Sequence, residues 1–116
     1  MKMRVLAYYH VIIVMLASIF AAGPALAHGS SGTFLVTKVT VEGDRVFIHG
    51  ANIQNPDNCA TSNYAVIVPT SANVDRFLSV ALTALSTQRP VTMYFQGCIA
   101  TNWHTGAPYA STIDIQ

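Results

Sequence analysis

The chain has 116 residues, of which 52% are hydrophobic and only 9% charged, with a formal net charge of +1. Two of the six cations, Lys2 and Arg4, stand at the extreme N-terminus; beyond residue 27 four basic residues face five acidic ones. No basic patch is available to neutralise phosphates, which excludes nucleic acid and anionic membrane surfaces as partners of the main body.

In chain order the first element is a leader. Lys2 and Arg4 precede an apolar run from Val11 to Ala22 whose one polar residue is Ser18, Gly23-Pro24 breaks it, and Ala25-Leu26-Ala27 places small residues where a leader peptidase cuts. The run is shorter than the roughly 20 apolar residues that span a bilayer. Residues 1–27 therefore read as a cleaved signal peptide and residues 28–116 as one secreted or periplasmic domain, with His28 at the mature N-terminus and no membrane span once the leader is gone. A domain this small buries only around 60–65% of its unfolded surface, so cross-linking matters. Cys59 and Cys98 are the two cysteines; in an oxidising compartment, without CxxC spacing, they predict a disulfide.

"HGSSG" (28–32) reads as a flexible lead-in. "TFLVTKVTVE" (33–42) alternates, with Leu35, Thr37, Val39 and Val41 on one face and Phe34, Val36, Lys38 and Thr40 on the other. Gly43-Asp44 supplies turn chemistry before "RVFIHGA", which makes a hairpin. "NIQNPDN" is a polar loop with a turn at Pro56-Asp57. "NYAVIVP" (63–69) is a third strand. Ser71 to Asn73 offer helix N-caps, and Val74, Phe77, Leu78, Ala81, Leu82 and Leu85 recur at helical spacing up to Arg89-Pro90. In "VTMYFQG" (91–97), Val91, Met93 and Phe95 oppose Thr92, Tyr94 and Gln96. A long loop, "IATNWHTGAPYA", precedes a last strand, "STIDI" (111–115). The order β-β-β-α-β-β with short strands predicts a mainly β fold with one helix, an OB-fold-like small barrel. An α+β sheet with the helix on one face fits the same order.

No catalytic constellation stands out. The acidic residues are scattered, no serine sits in a GxSxG setting and no glycine-rich phosphate loop occurs, so the chain does not read as an enzyme and calls for no cofactor. Asp57 and Asp114 are the acids left for folding to pair. Tyr94, Trp103 and Tyr109 are aromatics among Asn, Thr and Gln, the composition that stacks on sugar rings and bonds their hydroxyls. Equally, Trp103 and Tyr109 read as loop anchors folded back on the sheet. A different chemistry is open to the histidines. With His28 at the mature terminus, its α-amine and imidazole, joined by His49 or His104, form a nitrogen set suited to Cu(II).

The stretch "ALTALSTQRPVTMYF" resembles the helix-to-strand passage in B subunits of the subtilase cytotoxin and typhoid toxin group (AB5 toxins). The leader, the length and the element order are also similar. The resemblance implies an OB barrel, a homopentameric ring whose helices surround a pore lined here by Arg76, Ser79, Thr83 and Ser86, a catalytic A subunit as partner, and binding of sialylated host or surface glycans. Near the first strand the family's sugar-contacting serine maps to Ser30 or Ser31 with no accompanying Asp, and its glycan-contacting tyrosine maps to Phe95. Three functions follow as expectations: a glycan-binding toxin-B-subunit-like module; a copper-binding exported protein using His28; or a small envelope scaffold or inhibitor acting through a sheet edge without a ligand pocket.

Overall fold

The computed structural model describes residues 28–68 and 74–116. The leader at 1–27 and the helix N-caps at Ser71 to Asn73 lie outside the described residues. The described chain is mainly β with a single helix. Strands β1 (Gly29–Glu42), β2 (Arg45–Gly50) and β3 (Tyr64–Ile67) precede helix α1 (Val74–Thr87), which is followed by β4 (Pro90–Ile99) and β5 (Ala107–Ile115). The five strands close in a ring in the order β1-β2-β3-β5-β4, with β4 returning to β1.

β1 closes this ring because it is long enough to serve two partners. Its first half pairs with β4, from Gly29 opposite Phe95 to Leu35 opposite Pro90. Its second half pairs with β2, from Val36 opposite Gly50 to Glu42 opposite Arg45. "HGSSG" is therefore not a free lead-in: Gly29 to Gly32 are strand, held by the β4 ladder. The register slips twice, between Ser30 and Thr33 and between Val36 and Lys38. Each slip adds one residue to β1 and reverses which parity faces inward. Ser31, then Phe34 and Val36, are buried, whereas beyond the second bulge Val39 packs on the core and Lys38 is exposed. Gly32, at φ +65°, sits in the first bulge, a conformation that suits glycine. This corrects the uninterrupted alternation read for 33–42: Leu35 and Val39 share a sequence parity but not a face.

The core fills the ring. Val46 and Ile48, Ala65 and Ile67, and Val91, Met93 and Phe95 point inward from β2, β3 and β4. Phe77, Ala81 and Ala84 of α1 pack onto the same cluster. Leu82, expected on that stripe, is 47% exposed. At 3.6 residues per turn it points about 130° from the centre of the stripe formed by Phe77, Ala81 and Ala84. The helix stops at Thr87 with Gln88 left-handed (φ 55°) and Arg89 N–H donating to the Ala84 carbonyl at 3.2 Å, the six-to-one bond of a Schellman cap. No helix among the described residues is long and apolar enough to cross a membrane.

The predicted disulfide is present: Cys59 and Cys98 are bonded with their Cα atoms 5.6 Å apart. It ties the loop after β2 to the end of β4. Asn55 prepares that loop by bracketing Cys59, its side chain accepting from Cys59 N–H and donating to Cys59 carbonyl, both at 2.8 Å. The Pro56-Asp57 turn closes through Asn58 N–H to the Asn55 carbonyl at 3.1 Å.

Candidate functional site

A second apolar cluster lies on the outside of the ring. Alternation turns Val46 and Ile48 of β2 inward, so Phe47 between them must point outward, as must Tyr64 and Val66 of β3. Yet Phe47 is 2% and Tyr64 3% exposed, because something covers them. The cover is the β4–β5 connection, residues 100–106. Trp103 lies edge-on against Phe47 with ring centroids 4.9 Å apart and against Tyr64 at 5.9 Å. Phe47 and Tyr64 meet edge-to-face at 5.7 Å. These are the offset geometries that the ring quadrupoles favour.

Hydrogen bonds fix the loop in that position. The Tyr64 hydroxyl lies 2.8 Å from both Thr101 Oγ1 and His104 Nδ1, donating its one proton to one of them and accepting from the other, in the sense that the imidazole tautomer dictates. Thr101 Oγ1 in turn accepts from the backbone N–H groups of Trp103 and His104. Arg45 donates to the Ala100 carbonyl at 2.9 Å, and Asn102 bonds Glu42, so the β1–β2 turn clasps the same loop.

Two recesses open on either side of this aromatic ridge. One, of about 340 Å³, is lined by Lys38, Thr40, His49, Tyr64, Trp103 and His104. The other, about 630 Å³, lies beyond Phe47 between the β1–β2 turn and Thr101-Asn102. In the first, the imidazoles of His49 and His104 flank Tyr64 at 5.3 and 5.6 Å between centroids. His49 Nε2 is 3.2 Å from Thr40 Oγ1. Burial, and after it the charge of Lys38, hold the His49 imidazole below its ordinary value of 6.5. Trp103 remains 50% exposed above the recess. A flat, half-exposed indole beside hydroxyl and imidazole donors can stack on an apolar ring face while the polar groups orient its substituents.

The sequence-predicted residues do not converge on one place. Trp103 forms the ridge. Tyr94, 43% exposed on the outer face of β4, stands opposite Ser30 and Thr112 and takes no part in it. Tyr109 belongs to β5 rather than to a long loop, because β4 runs on to Ile99 and β5 begins at Ala107. It pairs with Val66 and its ring covers Gly97, where an added Cβ would come within 3.3 Å of it. Ser31 is withdrawn from any surface role. It is fully buried, donating to the Gly32 carbonyl at 2.7 Å and accepting from Met93 N–H at 2.8 Å, so its hydroxyl fills the gap the first bulge opens in the β1–β4 ladder. Phe95 is fully buried in the core.

The proposed nitrogen set is not assembled either. His49 and His104 share Tyr64, whereas His28 immediately precedes β1 and lies 3.3 Å from Asp57, beside the disulfide loop. Among the described residues no three His, Cys, Asp or Glu side chains come together at metal-holding distance. Asp57 and Asp114 are also apart, Asp57 against Cys98 and Asp114 opposite Thr92 near the other end of β4. On α1, Ser79, Thr83 and Ser86 bond back to carbonyls of their own helix.

Phe47, Tyr64 and Thr101 were missed as site residues. Phe47 carried a usable signal, a bulky aromatic at the outward position of an alternating strand. Tyr64 and Thr101 carried none, because their role depends on a loop that crosses from the far side of the ring. No family model matches the chain, and no curated protein or solved structure matches it.

Proposed function

We propose that this chain is a secreted, non-catalytic binding module of the OB type, and that it holds an uncharged or weakly charged oligosaccharide against Trp103. The observation that carries the reading is a half-exposed indole on a buried aromatic pair, on the outer face of β2 and β3 and between the β1–β2 and β4–β5 connections. That face, with those two loops, is where OB barrels take up oligonucleotides and oligosaccharides. The net negative charge beyond residue 27 argues for the second class. The toxin-B-subunit resemblance supports the same class of ligand, though the site lies at Trp103 and not at Phe95 or Ser31. A five-copy ring with a catalytic A subunit is the assembly that accompanies this reading.

The test is a glycan array followed by titration of any hit against three proteins. Trp103→Ala should abolish binding, and Tyr94→Ala should leave it intact because Tyr94 stands on another face. Undiminished binding to Trp103→Ala removes the site; no binding by the native protein removes the function. Light scattering on the same samples tests the ring, which a strict monomer at micromolar concentration overturns.

A further inference from the structure

Asp57 is the one described residue whose buried side chain is left incompletely partnered. Its side chain is 1% exposed, Oδ1 has a single neighbour in His28 Nδ1 at 3.3 Å, and Oδ2 is buried with no hydrogen-bond partner. A carboxylate taken out of water on one long contact is costly unless a charge or further donors complete it. The site is rigidly built around it. Asp57 lies in the turn braced by Asn55, with its own carbonyl 3.8 Å from Cys98 Sγ, and the His28 ring packs near Gly97 of β4. His28 is also the residue that follows Ala25-Leu26-Ala27.

We propose that the α-ammonium group released when the chain is cut between Ala27 and His28 is the missing partner of Asp57, so that leader removal completes a buried ion pair and locks the start of β1. The inference rests on reading residues 1–27 as a leader and is independent of the glycan site. Hydrolysis of the Ala27–His28 amide by a leader peptidase consumes one water. Ala27 leaves with the carboxylate, and His28 keeps the nitrogen, which is protonated at neutral pH because an α-amine has an ordinary pKa of about 7.7–8.0. Before the cut that nitrogen is a neutral amide with one hydrogen; afterwards it carries three hydrogens and a full positive charge. It belongs to the same residue whose Nδ1 lies 3.3 Å from Oδ1, joined to that ring atom through Cα, Cβ and Cγ. The ends of β1 and of the disulfide loop are then joined electrostatically where β1 meets β4. The uncleaved precursor lacks this pair and reaches full stability only after export.

A mutant cycle tests the pair. Two chains are compared, one beginning at His28 and one retaining Ala25-Leu26-Ala27, each with native Asp57 and with Asp57→Asn. The extension should lower Tm by about 5–10 °C in the native background and by much less in the Asp57→Asn background. An equal loss in both backgrounds, or none in the native one, overturns the proposal. If Asp57→Asn does not fold, NMR titration of the His28 α-amine in the native chain decides: a pKa raised above 8 supports the pair, and an ordinary value of about 7.7–8.0 overturns it. Mass spectrometry of the exported protein must find His28 first; any other terminus overturns it, without touching the glycan reading.

Discussion

Trp103 lies edge-on against Phe47, ring centroids 4.9 Å apart, and this contact seats the β4–β5 connection on the outer face of β2. The two partners should differ in what they cost. Phe47 is buried between sheet and loop, so Phe47→Ala leaves a cavity and should destabilise by about 3–5 kcal/mol. Trp103 is half-exposed, and Trp103→Ala should cost no more than about 1–2 kcal/mol, mainly the aromatic contacts. Urea unfolding of both variants checks the order. Equal costs would mean that Trp103 is a structural anchor rather than a surface presented to a ligand.

The disulfide spans 39 residues of sequence. In the chain-entropy model closing such a loop contributes about 4 kcal/mol, which for a domain of this size corresponds to a loss on the order of 15–25 °C in Tm on reduction. Thermal melts with and without reductant measure it. A Cys59→Ser, Cys98→Ser double variant should match the reduced protein, and a melt unchanged by either treatment contradicts the role assigned to the bridge.

Two glycines separate steric from conformational demand. A Cβ on Gly50 would come within 2.3 Å of the Phe34 ring and 2.8 Å of the Leu35 carbonyl, so Gly50→Ala must displace both a core ring and the crossing backbone of β1. It should cost about 3 kcal/mol or more. Gly43, at φ +61° in the β1–β2 turn, has open space around it. Gly43→Ala meets only the left-handed penalty of about 1–2 kcal/mol. Reversal of that order in denaturant midpoints would show that β1 and β2 can part at Gly50.

His49 makes stability depend on pH with a definite sign. Because burial and Lys38 lower its folded pKa, the unfolded chain binds that proton more readily. The His49 contribution is fully present above the unfolded value of 6.5 and is lost as pH falls through the lower folded value. Denaturant midpoints measured from about pH 7.5 down to 5 should therefore decline less steeply in His49→Gln than in the native protein. The difference between the two proteins isolates His49 from His28 and His104; parallel declines exclude it as the source.

Much of this fold was legible from residue order. The switch from helical to alternating spacing at Arg89-Pro90 placed the boundary between α1 and β4, and the Val91, Met93, Phe95 parity named the inward face, because local periodicity and a single buried side per element were the only constraints there. The cysteine pairing followed from having two cysteines. The bulges of β1 were not legible: an inserted residue has no local signature when both parities carry Val and Thr, and it becomes visible only through Thr92, Gly50 and their neighbours on the partner strands.

The candidate site lay further out of reach. Sequence marked Trp103 as an aromatic in polar company, and that much was determined by the chain alone. That its support is Phe47 and Tyr64, that Tyr109 packs against that same cluster while Tyr94 stands on another face, that Ser31 is a core hydroxyl and that His28 meets Asp57 were decided only by the closed ring. Closure brings together residues from β2, β3 and the β4–β5 loop that lie up to 56 positions apart in sequence, from Phe47 to Trp103. No local pattern encodes such contacts. They arise because burying one face of every strand inside the ring forces the remaining apolar side chains outward, where a connecting loop must cover them.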